Sequence, residues 1–158
     1  MVIPGNKNCD IRNIHWYEPN AATSQKLKSS NPLYYETAEN KLKKRRIVTT
    51  GLNGVVIEWN LQSLTPKAKY NNHSAIWDSK ISGKHAYIAT EDGTIKILKL
   101  KKNKIDFVRS LLKMDSRCLS LELISNTSDK SVKYLFSGYA DSSIRKWDLL
   151  NNNSVLHF

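Results

Sequence analysis

The residues whose type and spacing best suggest chemistry are basic, and they form one compact run. The sequence Lys41-Leu-Lys43-Lys44-Arg45-Arg46 is almost entirely cationic. Because lysine and arginine neutralise phosphates, the run predicts a contact with an RNA backbone or a nuclear-localisation signal. The alternative is a solvated flank that keeps the strand after it from aggregating. The whole chain carries a net charge of +11, which favours polyanionic surroundings without proving them.

A tyrosine pair, Tyr34-Tyr35, lies a few residues before the basic run. Such a pair could stack on an RNA base or dock into a partner protein, or it could anchor its own loop to the domain. We therefore predict that the basic run and the tyrosine pair form one RNA- or partner-binding set. For each of the two segments, the structural alternative given above stays open. The set comprises Tyr34, Tyr35, Lys41, Lys43, Lys44, Arg45 and Arg46.

Residues that could carry catalysis or bind a metal are isolated in the sequence. The histidines and cysteines form no CxxC, HExxH or other paired-ligand spacing. The sequence also lacks a GxxxxGK[ST] phosphate loop and a GxSxG nucleophile elbow. We therefore predict a protein that is not an enzyme, with no catalytic residue, metal, cofactor or small-molecule substrate. No apolar run approaches the roughly 20 residues of a membrane helix, so no membrane partner is expected.

A turn recurs along the chain and indicates the structural elements that must position the candidate binding residues. Its copies are Asn53-Gly54, Asp92-Gly93 and Asp141-Ser142. In each copy Val or Ile follows three residues after the Asn or Asp, and Trp or Leu follows six residues after it. The turns lie 39 residues (53 to 92) and 49 residues (92 to 141) apart. This period is typical of a propeller blade rather than of a helical repeat.

The residues around each turn predict strands. Asn-Gly and Asp-Gly favour the positive φ that tight hairpins need. The stretch Thr94-Ile95-Lys96-Ile97 alternates polar and apolar residues, which indicates a strand with one buried face. Similar β-type runs precede and follow each hairpin, so each copy holds four short strands.

These patterns predict an all-β WD-repeat β-propeller. The chain would supply about three consecutive four-stranded blades of an incomplete ring, since WD propellers most often have seven. We expect one partial propeller over residues 1–158. Its blades are placed at about 9–70, 73–110 and 116–158. The first would contain an inserted loop at 18–45, rich in Pro, Asn, Ser and Lys, that runs over the surface.

Certain residues should stabilise the blades from within. A complete WD repeat joins a His, the turn Asp, a Ser and a Trp in a buried hydrogen-bond network. Here only Ser137, Asp141 and Trp147 could supply most of one, and the second blade has Leu98 in place of Trp. The predicted structural set comprises Asn53, Trp59, Asp92, Ser137, Asp141 and Trp147.

Four ordered segments carry a resemblance to one WD-repeat family. They are "GLNGVVIEWNLQSL" (Gly51–Leu64), "SAIWDSKIS" with "ATEDGTIKILKL" (Ser74–Leu100), "KIDFVRSLLKMDSRCLSLEL" (Lys104–Leu123) and "FSGYADSSIRKWDL" (Phe136–Leu149). In order and spacing the chain resembles the cirhin family, WD-repeat subunits of the small-subunit processome. The resemblance covers most of Arg46 to Leu149 and fails over the inserted loop.

The resemblance implies a nucleolar, non-enzymatic scaffold. Cirhin-like proteins carry two tandem propellers and join an early subcomplex on the 5′ leader of the pre-ribosomal RNA. They support rRNA transcription and small-subunit rRNA maturation, and this chain would lie in the N-terminal propeller. The implied partners are other processome WD-repeat proteins and the pre-ribosomal RNA. The alternative is a WD-repeat adaptor of another class, such as a ubiquitin-ligase substrate receptor or a trafficking scaffold.

Overall fold

The structure is a computed structural model that describes residues 10–17, 45–125, 132–149 and the backbone of 155–157. Short strands joined by turns make up this part of the chain. The strands are β1 (Ile11–Tyr17), β2 (Arg46–Gly51), β3 (Val55–Trp59), β4 (Pro66–Asn71), β5 (Ile76–Ser82), β6 (His85–Thr90), β7 (Ile95–Leu100), β8 (Ile105–Ser110), β9 (Cys118–Ser125), β10 (Val132–Tyr139), β11 (Ile144–Asp148) and β12 (Val155–His157).

The strands form three antiparallel sheets of four, each built from strands consecutive in the chain. Strands β1 to β4 make blade one, β5 to β8 make blade two and β9 to β12 make blade three. Each strand pairs with the next by a simple hairpin or meander connection, for example Thr49 opposite Ile57 and Ser137 opposite Arg145. The predicted all-β class and the predicted four-stranded blades are confirmed.

The blades pack face to face through two apolar cores. The core between blades one and two contains Val48 and Val56 on one side and Ile88 and Leu98 on the other. A second core joins blades two and three and includes Leu135, which is fully buried. Period-2 alternation produces both, because successive side chains of a strand point to opposite faces. Each buried aliphatic side chain contributes about 1.5–3 kcal/mol to stability.

The recurring turn has the same geometry in all three blades. The side-chain Oδ1 of Asn53, Asp92 and Asp141 accepts a bond from the backbone N–H two residues later, at 3.1, 3.0 and 3.0 Å respectively. The residue after each takes a positive φ, 75° for Gly54, 80° for Gly93 and 68° for Ser142. A side chain that mimics a turn carbonyl and a left-handed residue together close the hairpin.

Replacing Ser142 with glycine should stabilise blade three by about 0.5 kcal/mol. A Cβ at positive φ costs roughly 1–2 kcal/mol, while the extra freedom of glycine in the unfolded chain costs about 0.5–1 kcal/mol. Amide hydrogen exchange in β10 and β11 should therefore slow by about two-fold. The control Ser143→Gly, which removes the hydroxyl bonded to Asp141 at 2.6 Å, should speed exchange. Unchanged or faster exchange in Ser142→Gly contradicts this account of the turn.

The two outer faces of this arc of blades expose apolar side chains. On blade one Ile14 is 67% exposed and Trp16 is 52% exposed. Both alternate along β1 with Asn13 and His15, which face blade two. On blade three the exposed set is Leu119, Ile124 and Ile144. Across residues 10–17, 45–125 and 132–149 no helix has the length and apolar character needed to cross a membrane.

Candidate functional site

Two blades are held internally by a tryptophan bonded to a hydroxyl ten residues earlier. In blade three the Trp147 indole N–H donates to the Ser137 hydroxyl at 2.7 Å. In blade one Trp59 donates to Thr49 at 2.9 Å, a partner that the sequence analysis missed although its spacing matches that of Ser137. All these residues are buried, so each bond satisfies a polar group that would otherwise be costly. The acid Asp141 lies apart from this bond and is bonded to Ser143.

In blade two the two corresponding positions hold apolar side chains. Leu98 takes the tryptophan position, and the residue ten positions earlier is Ile88, where the other blades have Thr49 and Ser137. Both aliphatic side chains are completely buried. Blade two has neither the hydroxyl nor the indole at these two positions, so neither side chain leaves a donor or acceptor unpaired there.

Asp78 at the start of β5 connects all three blades. Its Oδ1 accepts from the Asn13 side chain of blade one at 3.3 Å and from the Ser79 backbone N–H at 2.7 Å. Its Oδ2 accepts from the backbone N–H of Leu121 in blade three at 2.8 Å. A Lys80–Glu122 ion pair at 2.9 Å adds a second link between β5 and β9. These bonds fix the relative position of the first strands of the blades.

A second polar chain joins blades one and two beside Asp78. The Ser79 hydroxyl, which is buried, lies 2.8 Å from Nε2 of His15 and 2.9 Å from the Thr50 hydroxyl. Burial is the largest effect on His15 and lowers its pKa, with Asp78 partly opposing it. The imidazole is therefore neutral at physiological pH and can serve as donor or acceptor to Ser79.

Arg46, from the predicted RNA-binding set, lies in a buried ionic cluster. Its guanidinium binds the Glu58 carboxylate through two nitrogens, one of them Nε to Oε1 at 2.7 Å. The Glu58 side chain is fully buried and also pairs with Lys67 at 3.1 Å. Arg46 further donates to the carbonyl of Lys101 at 2.6 Å, across the boundary with blade two. RNA contact by Arg46 stays a prediction, but these contacts favour a structural role.

Of the remaining members of the predicted RNA-binding set, the structure describes Arg45. Arg45 is exposed, and its guanidinium lies 5.6 Å from the ring centroid of Trp16. The other residues of the set lie outside the described residues. They are Tyr34, Tyr35, Lys41, Lys43 and Lys44.

The turn carboxylates are held in their charged form. Burial raises the pKa of Asp92, but hydrogen bonds from Thr90 and Thr94 outweigh it and the net effect is a lowered pKa. Hydrogen bonds from Ser143 lower the pKa of Asp141. Both carboxylates accept hydrogen bonds within their own turns, which fits structural roles for Asp92 and Asp141.

His, Cys, Asp and Glu side chains are dispersed in the described part of the chain. Within it, no group of three or more His, Cys, Asp or Glu side chains could hold a metal ion. Cys118 is a free, buried thiol, and burial raises its pKa to about 12. A thiol with so high a pKa is a poor nucleophile at neutral pH, because the thiolate is the reactive form.

Comparison with curated proteins finds relatives that share one name. The chain is 30% identical over 134 residues, or 82% of its length, to "U3 small nucleolar RNA-associated protein 4" of Schizosaccharomyces pombe. It is 34% identical over 80 residues to the mouse and human proteins named "U3 small nucleolar RNA-associated protein 4 homolog". The matches span 18% of the fission yeast protein and 12% of the mammalian ones. No model of a known protein family matches the chain.

Solved structures show the same fold. The chain superimposes over its full length on U3-55K, with a TM-score of 0.68 at 14% identity, and covers 41% of that structure. The chain also matches the C-terminal WD40 domain of Sif2, with a TM-score of 0.56 at 18% identity. This match includes 66% of the chain and 31% of the Sif2 structure. At these identities the likeness establishes the WD-repeat propeller fold alone.

The sequence match and the observed blades are consistent with each other. The match to the fission yeast protein extends beyond any single repeat, and the structure shows the WD-type blades that such a match requires. By sequence this chain is similar to U3 small nucleolar RNA-associated protein 4, and by fold it consists of WD-repeat propeller blades.

Proposed function

We propose that this chain is part of a non-enzymatic scaffold subunit of the nucleolar small-subunit processome. In this role it supports pre-rRNA transcription and small-subunit rRNA processing in ribosome biogenesis. The observation that carries the proposal is the similarity over 82% of the chain to a protein named for its association with U3 small nucleolar RNA. The proposed partners are other processome WD-repeat proteins and the 5′ leader of the pre-ribosomal RNA.

The physical basis of a scaffold role is stiffness. Apolar cores between the blades, the Asp78 bonds to blades one and three, and the Arg46 bond to blade two resist movement of one blade against another. A stiff frame holds the loops at both ends of the blades at fixed separation. Several partners could then bind at once in a defined geometry, with little ordering cost at binding.

Purification from growing cells tests the proposal directly. The tagged full-length protein should enrich U3 small nucleolar RNA and 5′-leader-containing pre-rRNA, together with other WD-repeat proteins. The control is an unrelated tagged WD-repeat protein expressed at the same level. Recovery of ubiquitin-ligase or vesicle-coat subunits without U3 RNA would contradict the proposal and favour the other class of adaptor. The tagged protein should also co-localise with a nucleolar marker.

We propose that the basic run contributes to RNA binding through phosphate contacts. Replacing Lys41, Lys43, Lys44 and Arg45 with alanine should flatten the slope of log K against log salt by roughly 3 for single-stranded RNA, at about 0.7 per phosphate contact. Arg46 is left in place because it holds Glu58. The measurement is fluorescence anisotropy of a leader RNA fragment with full-length protein over a salt series.

An unchanged slope would remove the basic run from the RNA footprint. The control for folding is hydrogen exchange across β2 and β3, which should match that of the wild-type protein. Stacking by Tyr34 and Tyr35 is a separate prediction. It would show as weaker binding on replacement with alanine, with the salt slope unchanged.

A further inference from the structure

The two ends of the blades differ in charge. One end, here called the lysine end, holds the start of β2, the β5–β6 turn and the β7–β8 connection. The backbone N–H of Leu100 donates to the carbonyl of Lys84 at 2.7 Å, and Arg46 donates to the carbonyl of Lys101 at 2.6 Å. These bonds place the three chain segments side by side. The residues that define the lysine end are Arg45, Lys84, Lys101, Lys102 and Lys104.

The cations of the lysine end are exposed and incompletely neutralised. The side chains of Lys101 and Lys104 are 55% and 74% exposed. Both pair with one carboxylate, Asp106, at 2.6 and 2.7 Å, so two positive charges share a single negative one. Lys84 and Lys102 are exposed beside them. A net positive charge therefore remains at this end.

The opposite end, here called the turn end, contains the recurring hairpin turns and the connections between blades. Backbone bonds such as Glu91 N–H to the Ala75 carbonyl at 2.9 Å and Met114 N–H to the Gly93 carbonyl at 3.2 Å hold it together. Its cations include Arg12, Lys113, Arg117 and Arg145. Arg117 lies 3.7 Å from Glu91, and Arg145 lies 3.7 Å from Asp141. Acidic side chains outnumber the cations here. They are Asp10, Glu91, Asp92, Asp115 and Asp141.

We propose that the lysine end is the surface along which the propeller binds RNA, through phosphates and independently of base sequence. This inference rests on the proposed function. A polyanion is attracted more strongly to the lysine end than to the turn end, so the charge distribution orients the complex. The lysines act as point charges on a backbone, which positions the RNA without reading its sequence. The turn end is then left for protein partners.

A charge-matched pair of variants of the full-length protein tests the assignment. The lysine-end variant replaces Lys84, Lys102 and Lys104 with alanine and keeps Lys101 to pair with Asp106. The turn-end variant replaces Arg12, Lys113 and Arg117 with alanine. The probe is a fluorescein-labelled, single-stranded 30-nucleotide RNA from the pre-rRNA leader, titrated by anisotropy.

We expect the lysine-end variant to raise Kd roughly 50-fold at 0.15 M salt and to flatten the salt slope by about 2, since each lost phosphate contact removes about 0.7. The turn-end variant should raise Kd by less than about 3-fold, because its loss acts only through the long-range field. Equal losses in both variants, or no loss in the lysine-end variant, overturn the assignment. So does a lysine-end variant that binds RNA normally but loses its co-purifying proteins, because the surface would then bind protein.

The experiments distinguish failure of the RNA-binding surface from failure of the proposed function. If wild-type protein co-purifies with U3 RNA from cells but purified protein does not bind the probe, the scaffold role stands and the RNA-binding surface is wrong. If probe binding follows the expected pattern but cells show no U3 RNA in the purified complex, the surface stands and the processome role is wrong.

Discussion

Replacing Glu58 with alanine should lower the local free energy of unfolding of blade one by about 3–5 kcal/mol, the cost of leaving buried charge without its partner. The Glu58 side chain is completely buried and pairs with both Arg46 and Lys67. Only 13% of the Arg46 side chain is exposed, so its guanidinium cannot turn to water when the carboxylate is lost. The loss should also loosen the contact with blade two, because Arg46 would no longer be held against the Lys101 carbonyl.

Hydrogen exchange of the full-length protein measures this effect segment by segment. Amides of β2 and β3 should exchange at least 100-fold faster in Glu58→Ala, since about 1.4 kcal/mol corresponds to a factor of ten. The matched control is Glu122→Ala. Its carboxylate also pairs with a lysine but is 68% exposed, and exposed pairs contribute about 0–1 kcal/mol. Similar exchange in the two variants would show that the Glu58 cluster contributes no more than a surface pair.

A double variant separates the cost of an orphaned charge from the value of the pair itself. Replacing Glu58 with leucine and Arg46 with methionine together should recover most of the loss, because apolar residues of similar volume often match a buried ion pair. Failure to recover would mean that the Arg46 bonds to the Leu100 and Lys101 carbonyls are needed in their own right.

Replacing Trp147 with leucine should cost blade three about 3 kcal/mol, through a cavity and the loss of the indole hydrogen bond to the Ser137 hydroxyl. Adding Ser137→Ile should restore part of this, because the pair then matches the Ile88–Leu98 pair that already fills blade two. Either substitution alone disrupts the site. Ser137→Ile leaves the indole N–H of Trp147 without its acceptor at 2.7 Å. We expect a favourable coupling energy of about 1–3 kcal/mol between the two changes.

The reverse exchange in blade two provides the control. Leu98→Trp alone should destabilise that blade, because Ile88 cannot accept a bond and the core there is already full. Leu98→Trp with Ile88→Ser should be less harmful than Leu98→Trp alone. Additive effects in both blades would show that the two positions are independent, and would contradict their treatment as one structural unit.

The sequence predicted the blades because their signals are local. An Asn or Asp before a left-handed residue forces a tight turn, and alternation such as Ile95 and Ile97 against Thr94 and Lys96 produces one buried face whatever lies beyond it. The Thr49–Trp59 pair carried a usable signal too, since its ten-residue spacing equals that of Ser137 and Trp147. Comparing the repeats position by position would have found it.

The sequence carries no comparable local signal for the hydrogen bonds between blades. Asp78 meets Asn13 across 65 residues and the Leu121 amide across 43. Nothing in its neighbourhood, Ile76-Trp77-Asp78-Ser79, distinguishes it from an ordinary strand residue. Such partners are brought together only when the blades stack, so pattern reading within one repeat cannot identify them.

What the sequence by itself determined was the type of blade, the positions of its turns and the excess of positive charge, because each depends on neighbouring residues or on composition. Only the tertiary structure decided how individual charges are used. Arg45 and Arg46 are adjacent in one basic run, yet Arg45 is exposed while Arg46 is bound to buried Glu58. Successive strand residues point to opposite faces, and the packing of blade two against blade one makes one of those faces an interior.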